Sequence, residues 1–195
     1  MGRPRADAHS VPTNERILNA AERIFSENGY PSARLADIAA DAKIRRPSLL
    51  YHFESKEVLY EAMVQRLFHR LMERLSGLMA PTEDPEDQII QVGLAFQAFA
   101  ESNPAFGRIV MRDIVDHRDP VPQLLASGVI PVLDAVCTYI EGILPADSSR
   151  PPVHVRASVL YFCTNTLMQT SSGPLREPLW GPGNHTEDLL KRLFF

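Results

Sequence analysis

The sequence has few cysteines and no long apolar run. Its 195 residues include two cysteines, Cys137 and Cys163, each inside an apolar stretch, which excludes a disulfide framework and a four-cysteine zinc site. The longest apolar stretch, residues 128–144, is interrupted by one proline and two acidic residues and is shorter than the roughly 20 residues that cross a bilayer. No apolar core of signal-peptide length follows the N-terminal arginines. We therefore expect a soluble, cytoplasmic protein without a membrane partner.

Catalytic motifs are also missing. The chain has no Gly-x-Ser-x-Gly elbow, no phosphate-binding loop and no His-Glu-x-x-His sequence, and its histidines are scattered. These patterns mark common hydrolase, nucleotide-binding and metalloprotease sites. We predict that the chain is not an enzyme, and that it has no cofactor and no metal site.

Positive charge is scarce overall but concentrated near the N-terminus. The formal net charge is −4, from 20 Lys and Arg against 24 Asp and Glu, which argues against a protein that coats nucleic acid with its whole surface. Between residues 34 and 56, five basic residues meet three acidic ones, and Arg3 and Arg5 lie on a separate arm. This stretch is suited to contact phosphates, although charge alone equally fits a solvated basic face.

Hydrophobic periodicity is helical nearly throughout, which predicts an all-α fold. Thr13 is the expected N-cap of the first helix and Gly29 its stop. Pro131 should kink or split the helix that contains it, because proline removes a ladder hydrogen bond. A stretch rich in Pro and Gly, residues 173–184, precedes the last helix. The other predicted helices cover residues 35–42, 46–52, 56–79, 86–102, 104–117, 121–144, 153–171 and 186–195.

The sequence predicts two short helices with a tight break between them, and the second helix begins with Arg and Ser. This pattern is typical of a helix-turn-helix. Residues 29–59 also resemble the DNA-binding domain of the tetracycline-repressor (TetR) family. The residues that carry the resemblance, in one register without a gap, are Asp37-Ile38-Ala39, Ala42, Leu49, Tyr51-His52-Phe53, Ser55-Lys56-Glu57 and Leu59, preceded by Ala20-Ala21, Phe25 and Gly29-Tyr30.

The resemblance implies a dimeric transcriptional regulator, usually a repressor, that binds a double-stranded DNA operator and responds to a small-molecule effector. It implies a flexible basic arm (1–12), a helix-turn-helix DNA-binding domain (13–55) and a helical ligand-binding and dimerisation domain (56–195). It also assigns DNA contacts to the third helix and the start of the fourth, and makes Phe53 a core residue. The DNA-contacting positions carried over are Arg45, Arg46, Ser48, Tyr51, His52 and Lys56.

Several positions depart from the family pattern. Arg34 and Arg45 stand where N-capping Ser or Thr is usual, and each loss of a cap costs roughly 1 kcal/mol of helix stability. We interpret both arginines as DNA contacts that offset this cost, the alternative being that Ser32 caps helix two and both arginines lie free in solvent. Lys43 replaces a usual Gly and would be strained if its φ is positive.

The N-terminal arm adds a second feature. Gly2-Arg3-Pro4-Arg5 is similar to minor-groove hooks that insert arginine into a narrow A·T groove. We therefore add Arg3 and Arg5 to the candidate DNA contacts, with a disordered tail as the alternative.

The C-terminal helices suggest an apolar pocket with a few polar groups. Asn165 and Gln169 share a helix face, and they could bind a ligand or form hydrogen bonds across a dimer interface. The candidate ligand contacts are Phe96, Phe99, His117, Tyr139, Phe162, Asn165 and Gln169, and the candidate dimer contacts are Leu160, Leu167, Leu189 and Leu193. A helical interaction module without DNA binding is the competing interpretation.

Overall fold

The computed structural model describes residues 11–116, 119–144 and 154–195, and all the regular structure in these ranges is helical, which confirms the all-α prediction. The chain divides into two compact units, residues up to Met63 and Val64–Phe195. The division falls within the fourth helix, whereas the predicted domain boundary precedes that helix.

The first unit contains three helices and the start of a fourth. These are α1 (Thr13–Ser32), α2 (Leu35–Asp41), α3 (Arg46–His52) and α4 (Lys56–Ser76). Gly29 leaves helical geometry with φ 72° and ψ 165°, a conformation that glycine adopts without a side-chain clash, so the regular part of α1 ends where predicted. Thr13 is the first helical residue rather than the N-cap, a position that Pro12 occupies.

Apolar residues spaced by one helical turn build the core of this unit. Phe25, Tyr30 and Tyr60 form an aromatic cluster, with ring centroids 4.9 Å apart for Phe25 and Tyr60 and 5.0 Å apart for Tyr30 and Tyr60. Edge-to-face rings at this distance attract each other beyond their buried area. The other buried side chains include Ile17, Ala21, Ile38, Ala39, Leu49, Leu59 and Met63.

The second unit contains the rest of α4 and six further helices. Its central helix is α8, which packs against α5, α6, α7 and α10. Asp84 caps α5 by accepting a hydrogen bond from the Asp87 backbone N–H at 3.0 Å. The helices are α5 (Pro85–Ser102), α6 (Pro104–Val115), α7 (Val121–Ile143), α8 (Val155–Ser171), α9 (Arg176–Trp180) and α10 (Thr186–Phe194), with a 3-10 turn at Gly173–Leu175.

Two elements differ from the expectation. Pro131 does not split its helix, since α7 runs unbroken for 23 residues. Pro131 is exposed, so the carbonyl that loses its partner lies where water can satisfy it. The Pro- and Gly-rich stretch contains the short helix α9, because Pro178 falls in its first turn, where a missing N–H costs nothing.

Helix α7 combines length with apolar composition. Its most apolar stretch has a mean hydropathy of 1.5 and is 28% buried, so that by length and composition it is the one described helix that could cross a membrane. One such helix is weak evidence, because the core helix of a soluble protein passes the same test. The absence of a membrane partner stays a prediction.

Candidate functional site

The turn between α2 and α3 is closed by backbone hydrogen bonds. The Lys43 N–H donates to the Ala40 carbonyl at 3.0 Å, and the Ile44 N–H donates to the Ala39 carbonyl at 2.9 Å. Lys43 has a φ of 57°, in the left-handed region that costs a residue with a Cβ about 1 kcal/mol. The strain expected at Lys43 is therefore present.

Two arginines of α1 hold this turn. The Arg16 guanidinium donates to the Ala42 carbonyl and, at 3.2 Å, to the Lys43 carbonyl. Arg23 forms an ion pair with Asp41 at the end of α2. A cation at a helix C-terminus satisfies carbonyls that have no intrahelical donor. Sequence reasoning missed both residues, although their spacing of two helical turns places them on one face of α1.

The N-caps of α2 and α3 are Arg34 and Arg45, as predicted. Both residues have extended backbone and neither makes a side-chain cap bond. Ser32 is the last residue of α1 and does not cap α2, so the capping part of the alternative does not hold. Both arginine side chains are exposed. The two guanidinium groups therefore stand beside uncapped helix N-termini.

Helix α3 is anchored by a single core residue, Leu49, which is fully buried. Tyr51 is 86% exposed, and its ring packs edge-on to the exposed His52 ring at 5.5 Å. Phe53 is buried, which confirms its predicted core role. The outward face of α3 consists of Arg46, Pro47, Ser48, Tyr51 and His52, and continues into Arg45 at the N-cap.

Lys56 at the start of α4 is held in place by α1. Its Nζ donates to the Pro31 carbonyl at 3.2 Å and lies 4.6 Å from the centroid of the Tyr30 ring. The Tyr30 hydroxyl donates to Glu57 Oε1 at 2.7 Å. Burial, and next this hydrogen bond, raise the pKa of Tyr30, and the same bond lowers the pKa of Glu57. Arg3 and Arg5, the arm residues, lie outside the described residues.

This geometry coincides with a sequence match. Residues 17–63 match the family model for bacterial regulatory proteins of the tetR family. The N-terminal segment of the chain therefore belongs to the TetR family. The matched residues include all of α2 and α3, so the turn, the exposed face of α3 and Lys56 all lie inside the family's defining segment.

Curated relatives agree with this assignment. The chain is 42% identical over 71 residues to the HTH-type transcriptional regulator UidR of Escherichia coli (strain K12), covering 34% of this chain and 36% of UidR. It is 28% identical over 131 residues to the HTH-type transcriptional activator FasR of Mycolicibacterium smegmatis, covering 66% of this chain and 58% of FasR. The matches thus span about a third to just over half of these relatives, which are named as transcriptional regulators and not as enzymes.

The fold extends beyond the matched segment. A crystal structure of the transcriptional regulator FadR from Bacillus subtilis, in complex with stearoyl-CoA, superposes with a TM-score of 0.70 at 16% sequence identity, covering 92% of this chain and 97% of FadR. At this identity the likeness concerns the fold. It indicates that the C-terminal helices of this chain also share the fold of that structure.

The second unit contains an apolar cavity of about 120 Å³. Its walls come from α4, α5, α6, α7, α8 and α10, and none of the described residues that line it is charged. The predicted ligand residues Phe96 and Phe162 both line this cavity, with ring centroids 6.1 Å apart. Such a wall offers dispersion contacts and few hydrogen bonds.

A second cavity, here called the polar cleft, has a volume of about 220 Å³. The predicted residues Asn165 and Gln169 line it. Trp180 Nε1 donates to Asn165 Oδ1 at 3.0 Å, which ties α9 to α8. Sequence reasoning missed Trp180, although it is the only tryptophan of the chain. Phe162 lines both the cleft and the apolar cavity.

Two described residues among the predicted ligand contacts do not line these cavities. Phe99 lines neither and packs edge-on to Phe106, with centroids 5.2 Å apart. Tyr139 also lines neither, and its hydroxyl donates to the Ala80 carbonyl at 2.9 Å. His117 lies outside the described residues. Among the residues that the structure describes, no group of three or more His, Cys, Asp and Glu could hold a metal.

The predicted dimer residues have different environments. Leu160 is 42% exposed, and Leu189 and Leu193 are half-buried. Leu167 is only 4% exposed and lines the apolar cavity, so its side chain belongs to the core of its own protomer and offers a partner no surface. Two further apolar residues on α8, Tyr161 and Met168, are 58% and 52% exposed.

Proposed function

We propose that the chain is a sequence-specific DNA-binding transcriptional repressor that acts as a homodimer and is released from its operator by a small apolar or amphipathic ligand. The observation that carries the proposal is the outward face of α3. It presents two arginines, a serine, a histidine and a tyrosine that is 86% exposed. A recognition helix contacts base edges and phosphates with side chains of these types.

The turn geometry supports DNA recognition by this helix. Arg16 fixes the carbonyls that precede α3, and Lys56 is fixed by Pro31 and Tyr30. Cations at both ends of α3 fit the phosphates that flank a major groove, and they set the register of the helix. Arg34 and Arg45 add charge beside the N-termini of α2 and α3.

Salt dependence tests the two cap arginines. Each phosphate contact that is lost reduces the slope of log affinity against log salt by about 0.9. We expect Arg34→Ser with Arg45→Ser to weaken operator binding and to reduce the slope by about 2, measured by fluorescence anisotropy on a fragment from the gene's own upstream region.

The matched control is Arg74→Ser with Arg108→Ser, which removes the same charge from exposed residues of α4 and α6. This control should leave the slope unchanged. An unchanged slope in the cap variant would show that both arginines lie free in solvent. No shift by wild type of any upstream fragment at low salt would favour the interaction module instead.

Homodimer formation is supported by α8. Leu160, Tyr161 and Met168 leave an apolar face uncovered in a single chain, and Leu189 and Leu193 are partly accessible on α10. Two recognition helices must reach half-sites about 34 to 36 Å apart. Light scattering should give twice the 21.8 kDa chain mass, and Leu160→Glu with Tyr161→Glu should give the monomer mass.

Ligand release is supported by the apolar cavity. A ligand that prefers the dimer form with misaligned recognition helices lowers operator affinity by its differential affinity for the two forms. The cavity volume of about 120 Å³ approaches that of an engineered apolar cavity known to bind benzene. Operator complexes should therefore dissociate when a fitting ligand is added, with anisotropy as the measurement.

A further inference from the structure

The apolar cavity and the polar cleft share one wall. Phe162 lines both and is 5% exposed, so the two cavities meet at this side chain. The first cavity is lined by apolar groups, whereas the second is also lined by amides, hydroxyls and the ion pair of Arg176 and Glu101. Movement of the Phe162 side chain would join the two volumes. The joined volume would be apolar at one end and polar at the other.

The charges of the cleft are balanced. Arg176 lies 3.7 Å from Glu101 as an ion pair, and Glu101 also accepts a hydrogen bond from Gln97 Nε2 at 2.9 Å. His185 Nε2 lies 3.2 Å from the Pro182 carbonyl. The charges of Arg176 and Glu101 cancel, so the described lining has no excess positive charge to compensate an unpaired anion for its lost hydration.

Uncharged hydrogen-bonding groups remain available in the cleft. The Gln169 carboxamide lines it and makes no side-chain hydrogen bond to another described residue. The Asn165 oxygen accepts one bond, from Trp180, and an amide oxygen has capacity for a second. An uncharged head group with one donor and one acceptor would satisfy both side chains.

We infer that the two volumes form one composite site for a neutral amphiphile, whose short hydrocarbon tail occupies the apolar cavity and whose uncharged head bonds to Gln169 and Asn165. The inference rests on the proposed ligand response and names its ligand class. A volume of about 120 Å³ accommodates a tail of about five or six carbons, by comparison with benzene in a 150 Å³ cavity. The inference disfavours polyanionic ligands, because the described lining has no excess positive charge.

Trp180 provides the readout. It lines the cleft and is the only tryptophan, so the intrinsic fluorescence of the full-length protein reports on the head-group end. Titration with hexanamide at pH 7.5 should change this fluorescence with a midpoint at least tenfold lower than titration with hexanoate, which has the same tail and a charged head. A hexanoate midpoint equal to or lower than that of hexanamide would overturn the inference.

Tail length tests the apolar cavity without a mutation. Each methylene that enters it should tighten binding about fourfold, so affinity should rise from butanamide to hexanamide and then level off at octanamide. Val132→Phe, which fills part of the cavity, should weaken hexanamide binding at least fivefold. Affinities independent of tail length would show that the tail lies elsewhere.

Gln169→Met tests the head-group contact. It should weaken hexanamide binding at least fivefold, whereas Gln91→Met, at an exposed position of α5, should have no effect. Equal binding by both variants would overturn the assigned head-group contact.

The operator assay separates this inference from the proposed function. If hexanamide binds but does not release the protein from DNA, ligand release is contradicted and the composite site is not. If hexanoate releases the protein from DNA and hexanamide does not bind, the composite site is contradicted and ligand release is not.

Discussion

The two units of this chain build their candidate sites in opposite ways. In the first unit the candidate site is exposed. Leu49 is the buried residue of α3, and the arginines and Tyr51 face outward. The second encloses its site, with a cavity whose described lining carries no charge. Binding at the first site should therefore weaken as the salt concentration rises. Binding at the second site should strengthen with the apolar area that a ligand buries. The following variants test this contrast, from the largest expected effect to the smallest.

Asp113 on α6 is an ionisable residue that is buried in the second unit. It is 4% exposed, its Oδ2 has no hydrogen-bond partner among the described residues, and burial, with Asp116 nearby, raises its pKa to about 7 from 3.8. Between about pH 4 and pH 7, Asp113 is therefore protonated in the folded state and ionised in the unfolded state. Its contribution to the free energy of unfolding is lost as the pH rises through this range.

Asp113→Asn removes this titration. The variant's gain in unfolding free energy over wild type should be about 3 kcal/mol larger at pH 8 than at pH 4, measured by urea denaturation. The salt slope of operator binding should not change, because the substitution lies in the second unit. A gain that is independent of pH would contradict the raised pKa.

Two glycines of α7 form a matched pair. A Cβ on Gly128 would lie 2.4 Å from the Phe68 ring and 3.0 Å from Val64, whereas a Cβ on Gly142 meets nothing within 4 Å. Gly128→Ala should destabilise the protein by about 2 kcal/mol through overpacking. Gly142→Ala should stabilise it by about 0.5 kcal/mol through helix propensity. Thermal unfolding of both variants checks the signs, and equal effects would mean that α4 and α7 do not approach closely.

Arg16→Met tests the clamp on the turn of the first unit. It keeps most of the side-chain volume but removes two hydrogen bonds to carbonyls, for an expected loss of about 1 to 2 kcal/mol. Operator affinity should fall, while hexanamide binding, a property of the second unit, should stay the same. Operator binding as tight as that of wild type would show that the turn holds without the clamp.

Lys43→Gly should have a small stabilising effect, opposite in sign to that of Arg16→Met. Glycine accepts the φ of 57° without strain, and part of the gain is offset by the larger freedom of glycine in the unfolded state. We expect a net stabilisation of about 0.5 kcal/mol in denaturant unfolding. Destabilisation would indicate that the aliphatic part of the Lys43 side chain contributes packing that outweighs the strain.

The sequence predicted the first unit better than the second, for a physical reason. Arg34 and Arg45 lie at the caps, and Lys43 has the left-handed φ, because a short helix-turn-helix is determined by local chemistry that a sequence displays. Phe96 and Phe162 at the cavity have the same helical spacing as Phe99 and Tyr139, which lie elsewhere. Which face of a helix lines a cavity depends on how the other helices pack, and the local spacing of apolar residues does not show it. The burial of Leu167, a predicted dimer contact, depends on the other helices in the same way.

Lys56 has a consequence for the energetics of recognition. A lysine side chain usually gives up rotamer freedom, about 1.5 to 2 kcal/mol, when it is immobilised against a phosphate. Here the Pro31 carbonyl and the Tyr30 ring already restrict the ammonium group, and the bond between Tyr30 and Glu57 keeps the ring in position. Most of that entropy is lost during folding, so in the proposed DNA complex a phosphate would meet a preorganised cation at Lys56, whereas the exposed Arg45 and Arg46 would still have to be ordered by the DNA.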